Sequence, residues 1–120
     1  PKNPKDLAKV LNALTSTISM KYYQGISGIV GTLMLNQISI EKTLYISQFL
    51  FDNCKFRTLY ENELRVSMKL YQITKCLLSF YIPDLLFVFE EQKIQFQTHL
   101  MKWFLSGFSM EIHENGYLNF

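Results

Sequence analysis

Few residues in this chain have types that do chemistry, and the most pointed group is Tyr22-Tyr23-Gln24-Gly25-Ile26. Gln24 stands at the head of the longest apolar run, Gly25 to Leu35. A polar side chain at such a place either caps the helix backbone or is presented outward to another molecule. The other candidates are sparse. His99 and His113 lie fourteen residues apart with no acid pair at ligand spacing, so ordinary, partly exposed histidines are expected and no metal site. Cys54 and Cys76 form no CxxC and have no local context for a nucleophile with its base; reduced, partly buried thiols of a cytosolic protein are expected. Glu90-Glu91 reads as a solvated surface pair. Gly25, Gly28 and Gly31 recur every third residue but lack the lysine and hydroxyl residue that grip phosphate and magnesium. Close helix packing accounts for them better, and no self-contained catalytic set results.

Composition bounds the scaffold that must position these residues. The 120 residues are 48% hydrophobic and 15% aromatic, enough for one globular core; a chain of this size buries roughly two thirds of its unfolded surface. Twelve basic residues against ten acidic ones give a net charge of +2, and the lysines are scattered without a run. That pattern gives nucleic acid no footprint. The apolar stretch from Gly25 to Leu35 is eleven residues, well short of the roughly 20 a membrane span requires, and no stretch has the layout of a signal peptide. The chain opens without an initiator methionine and closes on the apolar cluster Tyr117-Leu118-Asn119-Phe120, which leads to the expectation of a piece of a longer protein.

Periodicity and punctuation predict an all-α fold of about six helices with short connections. Asn3-Pro4 starts a first helix over about 4–18, with Leu7, Val10, Leu11, Leu14 and Ile18 on its apolar face. The glycine-spaced helix begins at Gln24 and ends near Asn36. Ser39 caps a third helix with Ile40, Leu44, Tyr45, Phe49 and Leu50 as buried positions, stopped at Asp52-Asn53. Cys54 to Tyr60 reads as a mixed linker with room for a helical turn. Asn62 is expected to cap a fourth helix whose core stripe is Val66, Leu70, Ile73, Leu77 and Phe80, ended by Pro83. Pro83-Asp84 opens a short fifth helix. Leu85 to Phe89 and the alternation Lys93 to Gln97 also suit strands, but Phe96, Leu100, Trp103, Phe104 and Phe108 keep helical spacing for four turns, so a sixth helix is expected with these aromatics in the core and Gly107 as its weak point.

The order of these features resembles the TBC domain, the all-helical family of Rab GTPase activators. Leu7 to Leu14 is similar to the helix before that family's signature, and Tyr22-Tyr23-Gln24-Gly25-Ile26 to the signature itself, in which a tyrosine, any residue, glutamine, glycine and an apolar residue follow one another. Leu59-Tyr60, Leu70, Leu77-Leu78 and Tyr81-Ile82-Pro83-Asp84-Leu85 resemble the next segment, and Lys102-Trp103-Phe104-Leu105-Ser106-Gly107-Phe108 the family's tryptophan and phenylalanine helix. Lys21 stands where the family usually has glycine.

The resemblance implies a partial TBC domain over residues 1–120 that binds a Rab-like small GTPase and hastens its GTP hydrolysis. The family uses two fingers, an arginine and the signature glutamine. The glutamine would be Gln24, Tyr22 would help hold it, and Trp103 would serve the core. The chain itself would carry no cofactor, since GTP and magnesium would be held by the partner GTPase. The arginine finger belongs to a motif upstream of the first helix, and the two arginines here, Arg57 and Arg65, stand downstream of the signature. The alternative is therefore a TBC-like module without catalysis, serving as a scaffold in a larger assembly. Either reading places the protein in the cytoplasm, peripheral to endomembranes or cytoskeletal structures.

Overall fold

Asn3 and Pro4 set the first helix as their types require: the Asn3 side chain accepts the Lys5 amide at 3.0 Å, and Pro4 occupies the first turn. In the computed structural model, which describes residues 3–109, helix α1 runs Pro4–Thr17, α2 Gln24–Leu35, α3 Ile40–Gln48, α4 Arg65–Tyr81, α5 Pro83–Glu91 and α6 Phe96–Ser106. No strand occurs among the described residues, so the fold is all-α; Leu85 to Phe89 is helical where the sequence also suited a strand, and of Lys93 to Gln97 the first three form the connection from α5 and the last two open α6. Ser39 caps α3, accepting the Lys42 amide at 3.3 Å. Pro83 divides α4 from α5, whose axes bend by 112°, as expected where the residue before proline avoids the helical region. No single described helix is long and apolar enough to cross a membrane.

α1, α2 and α3 pack against one another, and α6 bridges from α2 to α4. The core between them holds Val10, Leu14 and Ile18 of the first helix and its exit, and Ile26, Ile29, Val30 and Met34 of α2. α3 runs on into a π-helical turn, Phe49–Asn53, closed by the Cys54 amide on the Phe49 carbonyl at 3.0 Å. A 3-10 turn, Phe56–Leu59, follows. These turns deliver Phe51 and Tyr60 into the core, both nearly inaccessible to solvent.

Several expectations from the sequence are corrected. Asn62 does not cap α4; Asn62, Glu63 and Leu64 form three successive left-handed residues before Arg65, and no side chain caps the helix. The buried side of α4 is not the stripe of Ile73, Leu77 and Phe80, which are all more than half exposed. Its packed face turns instead through Ser67, which is fully buried and donates to the Leu59 carbonyl at 2.7 Å. α3 is rotated in the same sense. It buries Thr43 and Ser47, with Phe51 following, and leaves Tyr45 and Phe49 exposed. In both helices the fully buried residues are small hydroxyl ones, a signal that a count of apolar residues misses. Cys54 and Cys76 are free and exposed, not partly buried. In α6, Leu100 and Ser106 are buried while Trp103 and Phe104 are half-buried. Gly107 ends that helix with φ of 56°, a left-handed conformation natural to glycine, and Phe108 lies beyond it and is 43% exposed.

Candidate functional site

The amino end of α2 is held by its backbone and its neighbours, and the Gln24 side chain takes no part in that. Tyr23 is the N-cap residue, in an extended conformation and without a side-chain cap. The first turn is closed by the Ile26 amide on the Tyr23 carbonyl at 3.0 Å and by the Ser27 hydroxyl on the Gln24 carbonyl at 2.7 Å. Gln24 is exposed, and among the described residues its side-chain amide makes no hydrogen bond. Of the two places the sequence offered this residue, capping or outward presentation, it occupies the second. Tyr22 is 54% exposed and makes no hydrogen bond or ring contact among the described residues. The tyrosine packed inward is its neighbour Tyr23, whose ring lies 5.1 Å from that of Tyr60.

Gly25 explains why the helix can stand where it does. A Cβ at this position would lie 2.0 Å from the Leu105 carbonyl oxygen, so only glycine lets the last turn of α6 come this close. Gly31 differs, since a Cβ there would meet nothing within 4 Å. The first glycine of the spacing therefore marks a helix crossing and the third does not. The same Leu105 carbonyl accepts the Tyr60 hydroxyl. Burial pushes the Tyr60 phenol well above the ordinary tyrosine range, so it remains a protonated donor at neutral pH.

Beside Gln24 a cleft of about 550 Å³ opens between α2, α4 and α6, with Leu64, Met68, Met101 and Leu105 as its apolar walls. Gln97 reaches across it to the Met68 sulfur at 3.4 Å. Gln24 is thus a free amide on the edge of an apolar recess, with a carbonyl that accepts and an NH₂ that donates. A neutral amide is a poor base. It can orient a water molecule between two partners, and that is the chemistry this arrangement offers.

The two arginines have different surroundings. Arg57 is locked: Nη1 donates to Asp52 and Nε to Glu61, each at 2.9 Å, and Nη2 donates to the Ile18 carbonyl at 2.6 Å. It joins the end of α1 to both turns before α4, with each guanidinium nitrogen engaged and the side chain held in place. Sequence reasoning passed over this role, although the i,i+4 spacing of Arg57 and Glu61 was a legible signal; the other two partners, Asp52 and Ile18, were not. Arg65 is exposed at the start of α4. His99 is exposed, and no group of three or more metal-binding side chains occurs among the described residues. His113 and the cluster Tyr117 to Phe120 lie outside the described residues.

Comparison with known proteins accords with this geometry. No curated protein and no solved structure matches the chain. The model of the Rab-GTPase-TBC domain family matches residues 1–117 of the 120. Nearly the whole sequence fits. The chain belongs to the RabGAP-TBC family, whose members as a class work on Rab GTPases.

Proposed function

We propose that this chain contributes the glutamine finger of a GTPase-activating domain for a Rab-type GTPase. The observation that carries the reading is the state of Gln24: an exposed, unbonded side-chain amide on a backbone fixed by close helix packing. Phosphoryl transfer asks little covalent chemistry of a protein. It depends on an aligned nucleophile and on charge stabilisation at the phosphate. Gln24 supplies the first. Its side-chain carbonyl accepts a hydrogen from the attacking water, and its NH₂ is free to donate to a phosphate oxygen. GTP and magnesium stay with the partner GTPase, so no cofactor belongs to this chain. Tyr22, exposed two residues before Gln24, lies against the GTPase and limits the positions the finger can take. The apolar cleft beside Gln24 falls within the same contact surface.

The second reading is a module that engages a GTPase or a larger assembly without hastening hydrolysis. The observation that favours it is Arg57, whose guanidinium is committed to Asp52, Glu61 and Ile18 and so cannot serve as the arginine finger. Single-turnover GTP hydrolysis by a panel of Rab GTPases, with the full-length protein and its Gln24→Ala variant, separates the two. Acceleration of one GTPase, reduced on the order of 10-fold or more in the variant, establishes the finger. Binding without acceleration, or acceleration that the substitution leaves intact, overturns it.

A further inference from the structure

Gln24 is the first residue of its helix, a place where helices fray, and no side chain caps the turn it belongs to. An unbonded finger at a frayed end would sample many positions. Something else must define it, and the residues on either side of Gln24 show what does. Tyr23 lies against the ring of Tyr60 at 5.1 Å with the planes tilted by 31°. Gly25 lies against the Leu105 carbonyl, which is bonded to the Tyr60 hydroxyl. One buried side chain therefore holds both neighbours of the finger, the first through its ring and the second through its hydroxyl.

The Leu105 carbonyl is free for this because it sits in the last turn of α6, where carbonyls lack helical partners. The amides that follow it bond elsewhere: Gly107 to Phe104, Phe108 to Trp103 and Ser109 to Ser106. Tyr60 in turn is immobilised. It is 1% exposed, its ring lies 5.9 Å from that of Phe51, and its amide donates to the carbonyl of Arg57, the residue clamped by Asp52, Glu61 and Ile18.

We propose that Tyr60 is a positioning residue for Gln24, holding the first turn of α2 against the last turn of α6 so that the finger meets the GTPase in one orientation. This rests on the finger reading of Gln24. Tyr60 itself touches neither nucleotide nor GTPase. Its hydroxyl acts only through the Leu105 carbonyl and the helix end packed upon it.

The test is a double-substitution cycle in the full-length protein, read by single-turnover GTP hydrolysis at saturating activator against the GTPase that responds best. Tyr60→Phe keeps the ring and removes the hydroxyl. The expected result is a rate lower by roughly 3- to 10-fold, a half-saturating activator concentration unchanged within about 2-fold, and no further loss when Tyr60→Phe is added to Gln24→Ala. Val10→Ala opens a cavity in the same core from α1, outside the Tyr60–Leu105 link, and should lower the melting temperature with little effect on the saturated rate. Should Tyr60→Phe fail to fold, Tyr23→Leu probes the other contact of the lock from a half-buried position, with the same expected loss and the same non-additivity. A full rate in the folded variant, or an equal fold-loss with and without Gln24, overturns the assignment of Tyr60 and leaves the finger standing. A rate indifferent to Gln24→Ala instead removes the finger reading and this inference with it.

Discussion

Gly25 and Leu105 meet so closely that the bare α-carbon of the one faces the carbonyl oxygen of the other where a Cβ would stand at 2.0 Å. This contact fixes the crossing of α2 and α6, and with it the place from which Gln24 projects. Gly31, two turns along the same helix, has open space around it. Gly25→Ala is accordingly expected to cost about 1–3 kcal/mol through forced displacement of backbone, whereas Gly31→Ala should stabilise by about 0.5–1 kcal/mol because alanine favours a helix interior. Denaturant unfolding of the two variants checks the opposite signs.

Gln24→Ala should separate activity from stability. The side chain is exposed and unbonded among the described residues, and alanine is at home in a helix. Unfolding free energy is expected to stay within about 0.5 kcal/mol of the parent, while GTPase activation falls on the order of 10-fold or more. A stability loss beyond about 1 kcal/mol would assign Gln24 to the scaffold.

Arg57→Ala should do the reverse. It removes a clamp of three hydrogen bonds, two to carboxylates and one to the Ile18 carbonyl. The guanidinium is partly exposed and its acidic partners more so, so screening reduces the loss to about 1–2 kcal/mol. Because Arg57 reaches Gln24 only through the backbone of Tyr60, the rate of GTP hydrolysis per folded molecule should fall no further than in Tyr60→Phe at a temperature where the variant is fully folded. A larger loss of rate there would make Arg57 part of the chemistry.

Thr43 and Ser47 carry buried hydroxyls without a hydrogen-bond partner among the described residues. Thr43→Val keeps the shape and removes the unsatisfied group, so it is expected to be neutral or to stabilise by about 1 kcal/mol. Thermal unfolding of the variant provides the measurement. A loss of more than about 1 kcal/mol would mean that the hydroxyl has a partner in solution.

Tyr60 also predicts how stability responds to base. Its folded pKa is raised by burial above the ordinary value of 10.0, so its protonated form is favoured in the fold. Its contribution is complete below pH 10.0, where the unfolded chain is protonated too, and declines as pH rises beyond that value and the unfolded phenol ionises. Relative to Tyr60→Phe, the parent should lose up to about 1.4 kcal/mol for each pH unit above this point. Parallel unfolding curves for the two proteins across the alkaline range would sink the argument.

The sequence by itself determined the elements and much of the site. Asn3-Pro4, Ser39 and Pro83 act on the backbone within a few residues of themselves, so the starts of α1 and α3 and the break between α4 and α5 were legible locally. So was Gln24 at the head of an apolar helix, and Gly107 at the end of the last one. Tertiary structure alone decided which faces are buried. An apolar stripe shows that a helix could bury one side, but a facing surface must exist, and Ile73, Leu77 and Phe80 have none among the described residues. The buried positions of α3 and α4 are instead the small Thr43, Ser47 and Ser67, and the close approach of α2 to α6 falls on Gly25, which has no side chain to keep the backbones apart. The links from Tyr60 to Leu105 and from Arg57 to Ile18 span 45 and 39 residues. No local pattern encodes such pairs; they arise when the packed helices bring a carbonyl at a helix end within reach of a donor distant in sequence.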